Sequence, residues 1–306
     1  VRKKIIITLL IVCSAGTIFV LIVINNILPY AGIMPPRLMV QTPVEQLENK
    51  ILFKDYNLLA KSLQIKTTDN VLLKGYFTYA TTDTANTTII LLHGIGNCKE
   101  NQLGKAKMLA DAGYNSVVLD LRAHGESGGK YCTFGYYEKE DVKLFVNEIV
   151  KINQNSTVGI WGNSLGGAIA LQTMAMDDRI GFGIIESTFD EFNKVALEYG
   201  ADYLLGYKIK WLTNYVLNKS GAIAHFNPND IKPVVAAKSI TKPVLFIHGD
   251  ADHKIPIEFN RNNYNAVPSN QKEWITVKGA GHHNVGAVGG EALNDAILKF
   301  VVQPSG

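Results

Sequence analysis

The chain has 306 residues, 47% apolar and 19% charged, with a mean hydropathy of +0.06. That balance suits one large folded domain or two small ones, and it excludes a disordered, collagen-like or cysteine-stapled chain. Thirty Lys+Arg face 27 Asp+Glu, and once Arg2, Lys3 and Lys4 are set aside the rest is formally neutral, so no basic field for a nucleic acid is expected.

The predicted elements begin with an uncharged stretch, Ile5 to Ile24, in which only Thr8, Ser14 and Thr17 are polar. A bilayer core needs about 20 helical residues, so this segment is long enough to span one. Its apolar character continues through Ile27 and Leu28. Residues 1–30 therefore read as a transmembrane signal-anchor that meets the membrane through residues 5–28. A cleaved signal peptide is the weaker reading, because a cut at Cys13-Ser14-Ala15 would leave Ile18 to Ile24 as a greasy new terminus. Basic residues before the span and only Arg37 soon after it predict a cytoplasmic N-terminus, with the globular part on the outer side.

Residues 31–61 read as a linker punctuated by Pro35, Pro36 and Pro43, with a short helical stretch near Val44–Leu52. From 62 to 306, short apolar strands alternate with longer helical segments, the pattern of a mostly parallel sheet with crossover helices. An antiparallel hairpin of Leu63–Thr67 and Leu72–Tyr79 opens it. Strands are then expected at Thr88–Leu92, Ser116–Leu119, Thr157–Trp161, Gly183–Glu186, Val244–Ile247 and Glu273–Val277, giving an eight-stranded sheet. Helices fit between them at Glu100–Ala112, Tyr137–Ile152, Leu165–Met176, Ile257–Ala266 and Glu291–Val302. Between Glu186 and Pro243 lies a stretch too long for a loop, holding Phe192, Tyr199, Tyr203, Leu204, Leu205, Trp211 and Tyr215. It reads as a small helical cap over about 189–240. Those side chains have two readings, an apolar pocket for an acyl or aromatic group and the cap's own core.

The chemistry starts at Gly162-Asn163-Ser164-Leu165-Gly166, a G-x-S-x-G that follows an apolar strand and opens a helix. Such a turn presents its serine in strained backbone geometry, and the helix N-terminus supplies unpaired N–H groups for a developing negative charge. A serine hydroxyl needs a histidine to take its proton, and the histidine needs a carboxylate to fix its tautomer. Downstream, one strand runs into His248-Gly249-Asp250-Ala251-Asp252 and the next into Gly279-Ala280-Gly281-His282-His283. In a parallel sheet these strand ends share one edge, so the three turns can converge.

On these motifs, together with His93-Gly94-Ile95-Gly96-Asn97 and Asp120-Leu121-Arg122-Ala123-His124-Gly125-Glu126-Ser127, the chain resembles the α/β-hydrolase superfamily over about Ser62 to Val302. The nearest likeness is to its monoacylglycerol-lipase and serine-aminopeptidase-like branch. Ala123 departs from that family's pattern, which has glycine there. The resemblance implies Ser164 as nucleophile, Asp252 as acid and His282 as base, with the backbone N–H groups of Ile95 and Leu165 forming the oxyanion hole. Asp250, two residues nearer the strand end, and the adjacent His283 are rivals, and Glu186 or Asp190 could serve a rearranged triad. His93 and His124 match structural positions, while His225, His248 and His253 read as surface, turn or packing residues. Cys98 and Cys132 follow strands on the same edge and read as buried free thiols, with a disulfide as the alternative.

No H-E-x-x-H, C-x-x-C or carboxylate cluster is present, and no G-x-G-x-x-G follows the first parallel strand, so neither metal nor cofactor is expected. The expected function is a carboxylesterase- or lipase-like serine hydrolase acting on a small-molecule acyl ester, lipid-derived esters included. Peptidase, amidase or acyltransferase chemistry on the same triad is the alternative, and a non-catalytic binding protein is a further one.

Overall fold

The fold is taken from a computed structural model that describes residues 2–82 and 86–302, apart from the side chain of Tyr203. The chain opens with the long apolar helix α1 (Arg2–Asn26) and the short α2 (Leu28–Ile33). Every α1 residue up to Ile22 is exposed. Its polar side chains turn inward on the helix itself: Ser14 Oγ donates to the Leu10 carbonyl at 2.7 Å and Thr17 Oγ1 to the Cys13 carbonyl at 2.9 Å. Hydroxyls satisfied in this way need no water. Arg2–Ile33 is one helical stretch long and apolar enough to cross a membrane.

The remaining strands are β1 (Val44–Leu47), β2 (Lys50–Phe53), β3 (Leu58–Lys66), β4 (Leu72–Thr78), β5 (Thr87–Leu92), β6 (Asn115–Leu119), β7 (Thr157–Asn163), β8 (Ile180–Glu186), β9 (Val244–Gly249) and β10 (Lys272–Val277). They form one ten-stranded sheet in the order β1-β2-β3-β4-β6-β5-β7-β8-β9-β10. Pairing is antiparallel from β1 through β4 to β6, and parallel from β6 to β10. β5 and β7 read as continuous apolar runs because both faces of the sheet are covered.

On one face lie α4 (Glu138–Ile152), α5 (Leu165–Met174), α8 (Pro233–Ala237) and α9 (Ile257–Ala266), with Phe145, Ile169 and Phe246 in their shared core. On the other lie α3 (Leu103–Asp111) and α10 (Val285–Val302), packed through Leu109, Phe182 and Phe300. Chain order reverses around β5, whose neighbours β6 and β7 are reached by crossovers in opposite directions. In open α/β sheets that switch opens a crevice at the carboxyl ends of the strands.

Three expectations need correction. Val44–Leu52 is not helical and residues 31–61 are not a plain linker: β1 and β2 form a hairpin that extends the sheet from eight expected strands to ten. The edge of β3 offers a row of unpaired backbone groups, and Phe53 anchors the added hairpin by packing edge-on against Tyr76 at 5.0 Å. The last helix starts at Val285, before Glu291, and its axis breaks at Gly290 (φ 55°). The first crossover helix opens with a 3-10 turn at Lys99–Gln102. The stretch expected to form a cap holds α6 (Phe192–Tyr203) and α7 (Lys210–Ala224), while its last helix, α8, packs with α5 and α9 on the sheet. Phe192 stacks on Phe134 at 3.9 Å and approaches Phe226, so it belongs to the joint between cap and core.

Candidate active site

Ser164 stands between β7 and α5 with φ 54° and ψ −119°, a backbone conformation that costs energy for any residue with a β-carbon. Its surroundings hold it there. The Ser164 N–H donates to the Glu186 carbonyl at 2.8 Å, and its carbonyl accepts from Thr188 Oγ1 at 2.6 Å and from the Gly167 N–H at 3.0 Å. The motif glycines are sterically required: a methyl at Gly162 would overlap the Gly166 backbone, and one at Gly166 would overlap the Leu92 carbonyl.

The loops after β9 and β10 bring Asp252 and His282 to this turn. His282 Nε2 lies 3.0 Å from Ser164 Oγ, and His282 Nδ1 lies 2.8 Å from Asp252 Oδ2. A neutral imidazole protonated on Nδ1 satisfies both contacts, donating to the carboxylate and accepting the serine O–H. The other carboxylate oxygen, Oδ1, accepts from the N–H groups of Lys254 and Ile255, each at 2.9 Å. Burial opposes ionisation of Asp252, but the hydrogen bonds from His248 and His282 outweigh it and hold the carboxyl well below the usual carboxylate range. All three side chains are largely shielded from water.

Opposite the serine, the turn after β5 carries Ile95. A methyl placed on Gly94 would sit 3.4 Å from Ser164 Cβ, so this turn borders Ser164 directly. His93 pins it: Nδ1 donates to the Gly94 carbonyl at 2.8 Å, while Nε2 accepts from the Leu121 N–H at 3.1 Å. Burial, with the nearby His124, pushes the His93 pKa down to about 3 and keeps the ring neutral. Leu165 is the first residue of α5, where backbone N–H groups lack an intrahelical partner. Among the described residues, no backbone carbonyl accepts from the N–H of Ile95 or of Leu165.

Residues 87–197 match the alpha/beta hydrolase fold family, and residues 218–306 match the TAP-like protein family. A solved esterase, Pf2001 of Pyrococcus furiosus, superposes with a TM-score of 0.70 at 25% identity, over 88% of this chain and 98% of that one. The chain has the alpha/beta hydrolase fold. It is 32% identical over 197 residues to YqkD of Bacillus subtilis, a match that spans 63% of each chain. It is 27% identical over 233 residues to YfhR of Escherichia coli, covering 73% of each.

Within this alpha/beta hydrolase fold the rival side chains are engaged elsewhere. Asp250 Oδ1 accepts from the Gly279 N–H at 2.6 Å and ties the loops after β9 and β10 together. His283 packs edge-on against His282 at 4.9 Å, its pKa lowered by burial and by that neighbour. Glu186 takes Lys105 at 2.8 Å and the Trp161 indole at 3.2 Å, and Asp190 takes Lys194 and Asn262. His124 Nδ1 faces the Arg122 carbonyl at 2.9 Å; His225 closes the end of α7 in a left-handed conformation, and His253 is exposed. Cys98 and Cys132 are buried free thiols.

The segment from Asp120 to Ser127 is a brace behind the site. Asp120 accepts from Lys99 Nζ at 2.8 Å and from the N–H groups of Lys99 and Glu126. A methyl on Gly125 would overlap that carboxylate. Ala123, standing where the family has glycine, adopts φ 62° despite its β-carbon. Arg122 forks onto Asp141 with two bonds of 2.6 Å.

Sequence reasoning missed three supports: Thr188, His248 and Arg37. His248 Nε2 lies 3.3 Å from Asp252 Oδ2 and 3.0 Å from the Ile255 carbonyl, making it a positioning residue for the loop that carries Asp252. Arg37 threads its guanidinium onto the carbonyls of Gly125, Ser127 and Gly129, fastening the N-terminal segment over the brace. Only the isolation of Arg37 in an uncharged, proline-rich stretch signalled it.

Proposed function

We propose that the protein is a serine esterase that cleaves carboxylic esters through an acyl-enzyme, with Ser164 as nucleophile, His282 as general base and acid, and Asp252 as the group that orients His282. The observation behind this reading is the continuous chain from Asp252 through His282 to Ser164, with links of 2.8 and 3.0 Å, ending on a serine held at φ 54°. Ser164 Oγ attacks the ester carbonyl carbon as its proton passes to His282 Nε2. The Ile95 and Leu165 N–H groups receive the oxyanion, a contribution of about 2.7–4 kcal/mol per donor in such sites. Collapse expels the alcohol, which takes the proton from His282, and water repeats the sequence to release the acid.

The esterase named among the structural neighbours supports the reaction class. The span through residues 5–28 supports a single-pass anchor, and Arg2, Lys3 and Lys4 support a cytoplasmic N-terminus with the catalytic domain on the outer side. Lipid-derived acyl esters are the substrates such placement favours. Tyr199 on α6 is half-buried, its hydroxyl pKa pushed up to about 12 by burial and by Asp252.

The test is turnover of p-nitrophenyl esters of graded chain length by the purified full chain and by Ser164→Ala. The reading predicts ester hydrolysis that Ser164→Ala abolishes. Undiminished turnover in that variant, or release of the acyl group only to an added alcohol or amine acceptor, would overturn it.

A further inference from the structure

Helix α1 does not end in a free tether. Asn25, on its last turn, accepts through Oδ1 from the Tyr215 hydroxyl at 2.6 Å and from Lys219 Nζ at 2.7 Å, both on cap helix α7. Four residues later the Pro29 carbonyl accepts from Ser220 Oγ at 2.7 Å. Pro29 and Ile33 are buried, α2 packs along α7, and the Ile33 carbonyl accepts from the Cys132 N–H at 2.8 Å. The end of the apolar helix is therefore clamped to the cap and then to the core.

Trp211, Tyr215 and Lys219 are spaced four apart on α7 and form one stripe along it. The clamp uses the second and third of these. Beyond it, at the amino end of α7 and in the turn before it, Trp211 is 71% exposed, Tyr207 69% and Leu205 93%. The sequence left Leu205 and Trp211 to a pocket or to the cap's core, and they occupy neither. Large apolar side chains grouped in the open mark a contact with something else. Trp and Tyr are the side chains that concentrate where membrane meets water, since each joins an apolar body to a polar tip.

We propose that the turn between α6 and α7 and the first turn of α7, through Leu205, Tyr207 and Trp211, sit in the interfacial layer of the same phospholipid bilayer that α1 spans, so that the cap is the membrane-facing side of the catalytic domain. This rests on the anchor reading of residues 5–28. The clamp at Asn25 is what selects lipid as the occupant: it fixes the stripe on α7 beside the level at which the apolar helix ends.

The test uses the full chain in phosphatidylcholine nanodiscs whose acyl chains are brominated near the headgroup, with tryptophan emission as the readout. The chain has three tryptophans; Trp161 is buried and Trp274 is covered by Arg261 at 3.6 Å. Brominated lipid is expected to quench a component of the wild-type emission that Trp211→Phe lacks. In parallel, Cys13 in α1 is probed with a membrane-impermeant maleimide. Cys13 protected with Trp211 unquenched would overturn the seating while leaving the anchor intact. Cys13 labelled from water would remove the anchor and the proposal with it. Emission that brominated lipid leaves unquenched, but that shifts when the discs are limited to one chain each, would assign the patch to a second copy and equally overturn it.

Discussion

The rim of the sheet and the outer side of the cap are built on opposite principles. At the rim, polar groups face one another at short range: the Ser164 carbonyl meets Thr188, both Asp252 oxygens are bonded, and the turn before Ile95 is pinned by His93. On the cap, Leu205 and Trp211 stand in the open within a turn of the helix that holds α1. The first arrangement holds its polar groups in place without waiting for a ligand. The second leaves apolar surface whose natural counterpart lies outside the chain. One protein thus combines a self-sufficient site with a surface that calls for a second phase, and each half can be broken separately.

The largest effect is expected at the rim. Ser164→Ala should lower kcat on a soluble ester by about 10⁴-fold or more, with circular dichroism unchanged, because the small side chain still fits the turn. Next comes Gly166→Ala. Its methyl would overlap the Leu92 carbonyl, so thermal unfolding should drop by about 1–3 kcal/mol of stability and activity should fall with it. An unaltered midpoint would show that the glycine spacing is not steric in origin.

A smaller, pH-dependent effect belongs to His93. Its folded pKa of about 3 lies below the ordinary 6.5, so the neutral ring stabilises the fold fully above 6.5. That contribution is lost progressively as pH falls from 6.5 toward 3, where the unfolded chain binds a proton the folded one refuses. Urea unfolding across this range should show the slope, and His93→Gln should reduce it by one proton. Equal slopes would mean that His93 is charged in the fold.

The smallest effect on the molecule itself is expected on the cap. Leu205→Ser combined with Trp211→Ser should leave both the unfolding midpoint and the rate on a soluble short-chain ester unchanged, because neither side chain is packed. Hydrolysis of a long-chain monoacyl ester presented in vesicles should fall several-fold. An equal loss on both substrates would place these residues in the catalytic domain's own architecture and blur the contrast between rim and cap.

The rim was legible because local chemistry dictates it. The run Ile89-Ile90-Leu91-Leu92 reads as a strand buried on both faces, and G-x-S-x-G between strand and helix matches the strained turn found at Ser164. The β1–β2 hairpin was not legible, since Val44–Leu52 takes its extended form from backbone pairing of β2 with β3, which the side chains of this stretch do not announce. Phe192 and Leu205 share the same apolar character, yet one stacks on Phe134 and the other points away from the protein. Hydrophobicity says that a side chain leaves water, not whether protein or lipid receives it. His248 was equally silent, because its task depends on the fold of the loop from Asp252 to Ile255.

The central claim is that one activated hydroxyl carries the reaction, and a fluorophosphonate probe followed by peptide mass spectrometry addresses it most directly. The account predicts a single adduct on the peptide bearing Ser164, absent from Ser164→Ala and formed far more slowly in His282→Ala. An adduct on a different serine, or labelling of the same extent in Ser164→Ala, would contradict it.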